Sequence, residues 1–281
     1  MIMSNPFVGL ADSIPPGLMK TYVVLMVLLV IAGVVLDIRH KQSAKYFFEK
    51  GEALKKLAKR EVSSAERTTI AIGTLTNEVL ASGEFENPDR RKSHLLMMYG
   101  FVFFVLTTVS MIFSLPLAEG EKGSVLTALL WHASAISVCV GGYWFWFKIR
   151  VDVRSEGHEW YDVHLSDLFI VSLLLTTTFA LAWSLFQGSA LGWLAFAIFI
   201  GAATTLFSTV FWSKFAHMFY KPAAAFQKKV AKADGSRDKL PEVPELTDPE
   251  VQQRYPDIPE YMGKNPSYMG LGIKREAPTH Y

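Results

Sequence analysis

The sequence predicts an all-α integral membrane bundle of five transmembrane helices, N-terminus outside and C-terminus inside, with an extended proline-rich cytoplasmic tail. Three observations predict it. Of the 281 residues, 51% are hydrophobic and only 19% charged, below the roughly one-quarter charge of soluble domains. Five apolar runs come close to the roughly 20 residues a helix needs to cross the hydrocarbon core. Lys and Arg are crowded into alternate connections, the pattern the positive-inside rule produces.

The runs are residues 21–38, 95–115, 125–147, 168–186 and 190–212. Each is expected to be helical, because lipid leaves backbone N–H and C=O groups nothing else to bond. The first run reads as a retained span rather than a cleaved leader. Asp12 and a single base, Lys20, precede it, and Asp37, Ile38 and Arg39 follow it in place of small cleavage-site residues. Residues 37–94 carry 12 Lys/Arg, residues 148–164 carry 3 and residues 214–281 carry 11, against only Lys20 and Lys122 opposite. This asymmetry sets the expected orientation. Interfacial belts are expected from Trp131, Trp183 and Trp193 on the outside and from Trp144, Trp146 and Trp212 on the inside.

Residues 1–20 then form the outer N-terminus, and 39–94 a cytoplasmic amphipathic segment. The remaining four spans occupy 95–221, and the tail 222–281. Within the segment, residues 41–86 read as one or two solvated or interfacial helices, clearest at FFEKGEALKKLAKR. The tail holds 8 of the 13 prolines and a paired Tyr-Met-Gly unit at Tyr261 and Tyr268. It has no core of its own. It is either a disordered terminus or an arm that orders on a partner protein, and the paired units favour the arm.

Several function classes drop out. A net charge of +2 implies no nucleic-acid partner. One cysteine, Cys139, excludes a disulfide framework and any multi-cysteine iron–sulfur or zinc site built by this chain alone. No phosphate loop, nucleophile elbow or H-E-x-x-H is present. Asp152, Glu156, Glu159, Asp162 and Asp167 read as a solvated acidic loop.

The seven histidines are more informative. His94 opens the second span and His217 follows the fifth, both at the cytoplasmic interface. Two histidines at one depth on different helices suit the two axial positions of a haem iron. Arg91 and Lys214, with Arg90 and Lys92, are nearby cations for propionates. Gly201, Thr205, Thr209, Ser213 and His217 recur every four residues, a small face that admits either a macrocycle or a neighbouring helix. His132, in the stripe Ala128, His132, Ala135, Cys139 and Gly142, is either a packing histidine or a hydrogen-bond donor to quinone.

This architecture resembles the cytochrome b-type membrane subunits of the group around the nitrate reductase gamma subunit. The stretches RRKSHLLMMYG (Arg90–Gly100) and SKFAHM (Ser213–Met218) are similar to the second and fifth spans of membrane subunits of quinone-interacting complexes. The short chain and Pro-rich tail most resemble the membrane anchors of dissimilatory adenylylsulfate reductase. The resemblance implies one haem b on His94 and His217, quinone as exchangeable substrate, and a cytoplasmic iron–sulfur flavoprotein as partner. The partner would oxidise sulfite and AMP to adenylylsulfate. Two-haem relatives carry further histidines where this chain has Phe104 and Phe199, so an outer haem is not implied. A haem-free anchor for the same kind of partner is the alternative. A small transporter is disfavoured, because interior carboxylates, broken helices and inverted repeats are not apparent.

Overall fold

The computed structural model describes residues 3–41, 43–83, 85, 87–150, 160–213, 215, 217–237 and 248–254. Among these residues there are helices and no strands. Five helices are long and apolar enough to cross a membrane, and the chain is a multi-pass membrane protein.

Asn5 accepts the Phe7 N–H and starts the short helix α1 (Pro6–Ala11). The first spanning helix, α2 (Pro16–Lys41), is apolar all round, as a helix bathed in lipid should be. Only 17% of its most apolar window is buried. Two helices follow outside the spans. The first is α3 (Ser43–Lys55). The second, α4 (Ser64–Gly73), is capped by Ser63 and runs on as a π-helix, Thr74–Leu80. Arg60 forks onto Glu66 in the first turn of α4 at 2.9 and 2.5 Å. The guanidinium's hydrogen bonds hold that carboxyl below the usual range.

The second span, α5 (Pro88–Phe113), starts at Asn87, whose side chain accepts from Asp89 and Arg90. The third, α6 (Val125–Trp144), starts at Ser124 and ends in a π-helical turn, Phe145–Ile149. A 3₁₀ turn, Leu165–Asp167, leads into α7 (Leu168–Leu185). The fifth span, α8 (Ala190–Ser208), is capped by Ser189. Two helices follow it, α9 (His217–Ala233) and the short α10 (Pro249–Arg254).

Three expectations are corrected. The fifth span stops at Ser208, well short of residue 212. Its last turn closes through Thr209, whose N–H bonds the Thr205 carbonyl and whose carbonyl accepts from Trp212 and Ser213. The small stripe therefore does not run along one helix to His217. Its Gly201 faces outward, with no atom near its Cβ position. Pro222 lies inside a helix, in the second turn of α9, where it costs one backbone bond. Finally, Trp131, Trp146 and Trp183 are not belt residues. They are 0%, 8% and 4% exposed and lie in the core. Hydropathy places tryptophans by depth and cannot tell the lipid face from the bundle face. Trp193 and Trp212 do face outward.

The tightest packing joins α5 to α6. A Cβ on Gly100 would meet Val138 at 2.8 Å and the Ser134 carbonyl at 2.9 Å. One on Gly141 would meet the Ser93 carbonyl at 2.8 Å. Two hydroxyls cross the seam, Ser93 to the Gly141 carbonyl at 2.8 Å and Ser137 to the Leu96 carbonyl at 2.9 Å. Small residues let membrane helices approach until such bonds form. Two cores flank this seam. Towards α1 lie Phe7, Phe104, Trp131, Trp183 and Phe199. Towards α9 lie Val138, Trp146, Leu174, Leu206 and Phe215.

Gly141→Ala should cost about 1–3 kcal/mol, because the backbone it would strike has no rotamer to yield. Gly201→Ala should be neutral or slightly stabilising. Thermal unfolding of the two variants in detergent checks the contrast.

Candidate functional site

The site is built around His94, in the second turn of α5. Ser93 beside it is fully buried and held by Gly141. This fixes the rotation of α5. With 100° between successive residues, His94 is turned away from that seam, towards the chain that connects α4 to α5.

That connection has unusual backbone. Ser82 has φ +48°, a left-handed conformation uncommon outside glycine. Gly83 donates to the Asn77 carbonyl at 2.7 Å, and a Cβ there would lie 2.6 Å from the same oxygen. The turn thus requires glycine at 83. It delivers the Ser82 hydroxyl to Nδ1 of His94 at 2.9 Å. The Phe85 ring packs 4.9 Å from the imidazole, tilted by 52°. A hydrogen bond at Nδ1 orients the imidazole.

Two cations gather on Phe85. Arg90 lies 5.8 Å and Lys221 5.4 Å from its ring centre. Lys221 belongs to the first turns of α9, one turn after His217. The start of α9 therefore stands at the His94 end of α5. Farther along, α9 is tied to the π-helix by Lys229 on Glu78 at 2.9 Å. Its end is tied to the α3–α4 connection by the Lys59 N–H on the Asp234 carbonyl at 2.8 Å.

The structure thus brings together His94, Arg90 and the helix that His217 opens. Of His217 itself only the backbone is described, and Lys214 lies outside the described residues. So do His158, His280, the acids Asp152, Glu156 and Glu159, and the Tyr-Met-Gly units. Arg91 points elsewhere: its Nε donates to the Ala81 carbonyl at 2.8 Å, just past the end of the π-helix. Sequence reasoning missed Ser82, Phe85 and Lys221. The run Ala81-Ser82-Gly83 was a visible turn signal, but its contact with His94 is tertiary.

His132 is 5% exposed and bonded at both nitrogens. Nδ1–H donates to the Ala128 carbonyl at 2.8 Å, and Nε2 is hydrogen-bonded to the Ser184 hydroxyl at 2.8 Å. This is the geometry of a packing histidine. Around it, Phe104 stacks on Trp131 and Phe199 on Trp183. That end of the bundle is filled by aromatic rings.

The acidic loop is also corrected in part. Asp167 is buried, not solvated, and pairs with Arg150, with side chains 12% and 13% exposed. Arg150 also donates to the Asp162 carbonyl at 2.6 Å and lies 3.9 Å from the Trp146 ring centre. The Asp167 carboxylate accepts the His164 N–H at 3.0 Å. Among the described residues, no three His, Cys, Asp or Glu side chains converge as a metal cluster would need.

No family model, curated protein or solved structure matches the chain.

Arg150→Met should destabilise the detergent-solubilised protein by about 3–5 kcal/mol, since it strands a buried carboxylate. Combining it with Asp167→Leu should recover part of that loss. Chemical denaturation of the single and double variants provides the check.

Proposed function

We propose that this chain is the membrane anchor and electron-transfer subunit of a cytoplasmic iron–sulfur flavoenzyme. It would connect that partner to the quinone pool through one haem b. On this reading the α9 end faces the cytoplasm, in the cytoplasmic membrane. The observation that carries the proposal is Lys221 over Phe85, with Phe85 against His94. It puts the start of α9, and with it His217, at the end of the bundle that His94 occupies.

The residues present fit the group at this end and not at the other. Here an imidazole is oriented through Nδ1 by Ser82, and Arg90 and Lys221 supply positive charge for propionates. At the α1 end, Phe104 and Phe199, where two-haem subunits of the group the chain resembles carry further histidines, are packed in the core. His94 and His217 would be the axial ligands. A haem held there supplies a one-electron carrier. The chain's own residues would orient the ligands, neutralise the propionates and keep water from the ring. The likeness read from Arg90–Gly100 and Ser213–Met218 to membrane subunits of quinone-interacting complexes suggests that class of partner. The tail and the segment from Lys41 to Arg91 would dock it.

A second reading, a haem-free anchor, is favoured by one observation: Phe85 and Ser82 already occupy one face and one nitrogen of His94. A reduced-minus-oxidised spectrum of protein purified from haem-replete cells separates the two. The expected result is a b-type signal that His94→Ala and His217→Ala abolish and His132→Ala preserves. An absent signal selects the haem-free anchor, and a full haem complement in the His217 variant overturns the pairing. Deleting residues 248–281 should release the partner into the soluble fraction on membrane fractionation.

A further inference from the structure

The α4 helix and its π-helical continuation carry an apolar face that no described residue covers. Ile72, Leu75 and Leu80 are 58%, 53% and 45% exposed. Their spacing, three and then five residues, keeps them on one side of a helix that winds more slowly over its π-helical part. The opposite side is polar and occupied: Glu78 pairs with Lys229 of α9, and Thr74 is buried.

Two bonds fix the Leu80 end of this face beside α5. The Tyr99 hydroxyl, on α5, donates to the Leu80 carbonyl at 2.8 Å, and Arg91 holds the next carbonyl, Ala81, at 2.8 Å. Tyr99 lies five residues further into the span than His94, about 7.5 Å at the helical rise. Side chains on a helix lean back towards its N-terminus, so the bond spans from within the apolar part of α5 to its rim. Beyond Tyr99, the outward face of α5 carries Val102, Phe103 and Leu106, at 46%, 48% and 58% exposure. The Leu80 end of the α4 face adjoins that lipid-facing strip.

We propose that the apolar face of α4 and its π-helix lies in the acyl layer of the bilayer, as a helix parked in the membrane interface beside α5. The occupant is lipid. The continuity with the α5 strip and the polar opposite face both support it. Amphipathic helices of this kind sink about 5–10 Å into the headgroup–acyl boundary. The turn at Ser82 and Gly83 then reaches His94 from the lipid side, and the imidazole is roofed by protein that is itself embedded. The inference rests on membrane insertion and not on haem.

The test is spin-label accessibility in proteoliposomes of the full chain, with Cys139→Ser as background. Labels go on Ile72→Cys, Leu75→Cys and Leu80→Cys. Val102→Cys serves as the lipid reference and Lys56→Cys as the aqueous reference. The expected result is oxygen accessibility at all three sites matching Val102→Cys, with collision by a water-soluble nickel chelate far below Lys56→Cys. Nickel accessibility matching Lys56→Cys would overturn the proposal. Labels shielded from both reagents would also overturn it, in favour of a protein partner or a second copy. All three sites are surface positions. Should one variant misfold, judged by gel filtration before reconstitution, the other two carry the same test.

Discussion

The close seam between α5 and α6 is the constraint on which the remaining arrangement depends. Gly100 and Gly141 remove the two side chains that would hold the helices apart. The Ser93 and Ser137 hydroxyls then bridge to backbone carbonyls across the gap. In lipid there is no hydrophobic drive to bring helices together, so close packing and such bonds must supply the specificity. Once Ser93 is buried there, the direction of every other side chain on the first turns of α5 is decided. His94, Arg90 and Arg91 are all presented to the segment that precedes them in the chain.

That segment is where local sequence and tertiary position meet. A π-helix, a serine at positive φ and an obligatory glycine follow one another between Thr74 and Gly83. Such backbone is uncommon and needs surrounding structure to hold it. Here the support is explicit: Arg91 on Ala81, Tyr99 on Leu80, and Lys229 on Glu78. All three reach in from spans or from α9, so the segment takes its shape from the bundle.

Much of this was legible in the sequence. The five spans follow from hydropathy alone, and the starts of the third and fifth, at Val125 and Ala190 behind the caps Ser124 and Ser189, agree with it. The second span begins at Pro88, seven residues before its apolar run. Charged Arg90, Arg91 and Lys92 continue the helix without being apolar, and hydropathy records solvent, not conformation. The stripe of Ala128, His132 and Ala135 was readable as a packing face and is buried as one. The partners of His94 were not readable, because Ser82 and Phe85 come to it through a turn whose geometry is fixed elsewhere. The Arg150–Asp167 pair was missed for a similar reason: 17 positions separate the two in sequence, and composition alone cannot distinguish a solvated acid from a clamped one.

The small helix α1 has a consequence of another kind. Asn5 holds the Met111 carbonyl and Gln187 the Pro6 carbonyl. Phe7 sits against Trp131 and Trp183, 2% exposed. This end of the bundle is stoppered by aromatic rings, while His94 lies at the other. On the proposed reading, electrons and the protons that accompany them enter and leave from one side only. No charge then traverses the bilayer's field, so the membrane potential does no work on the reaction, whatever its size. Such a subunit would load or drain the quinone pool without generating or consuming a voltage, and any energy conserved from its electrons would be conserved by whichever enzyme meets the quinone next.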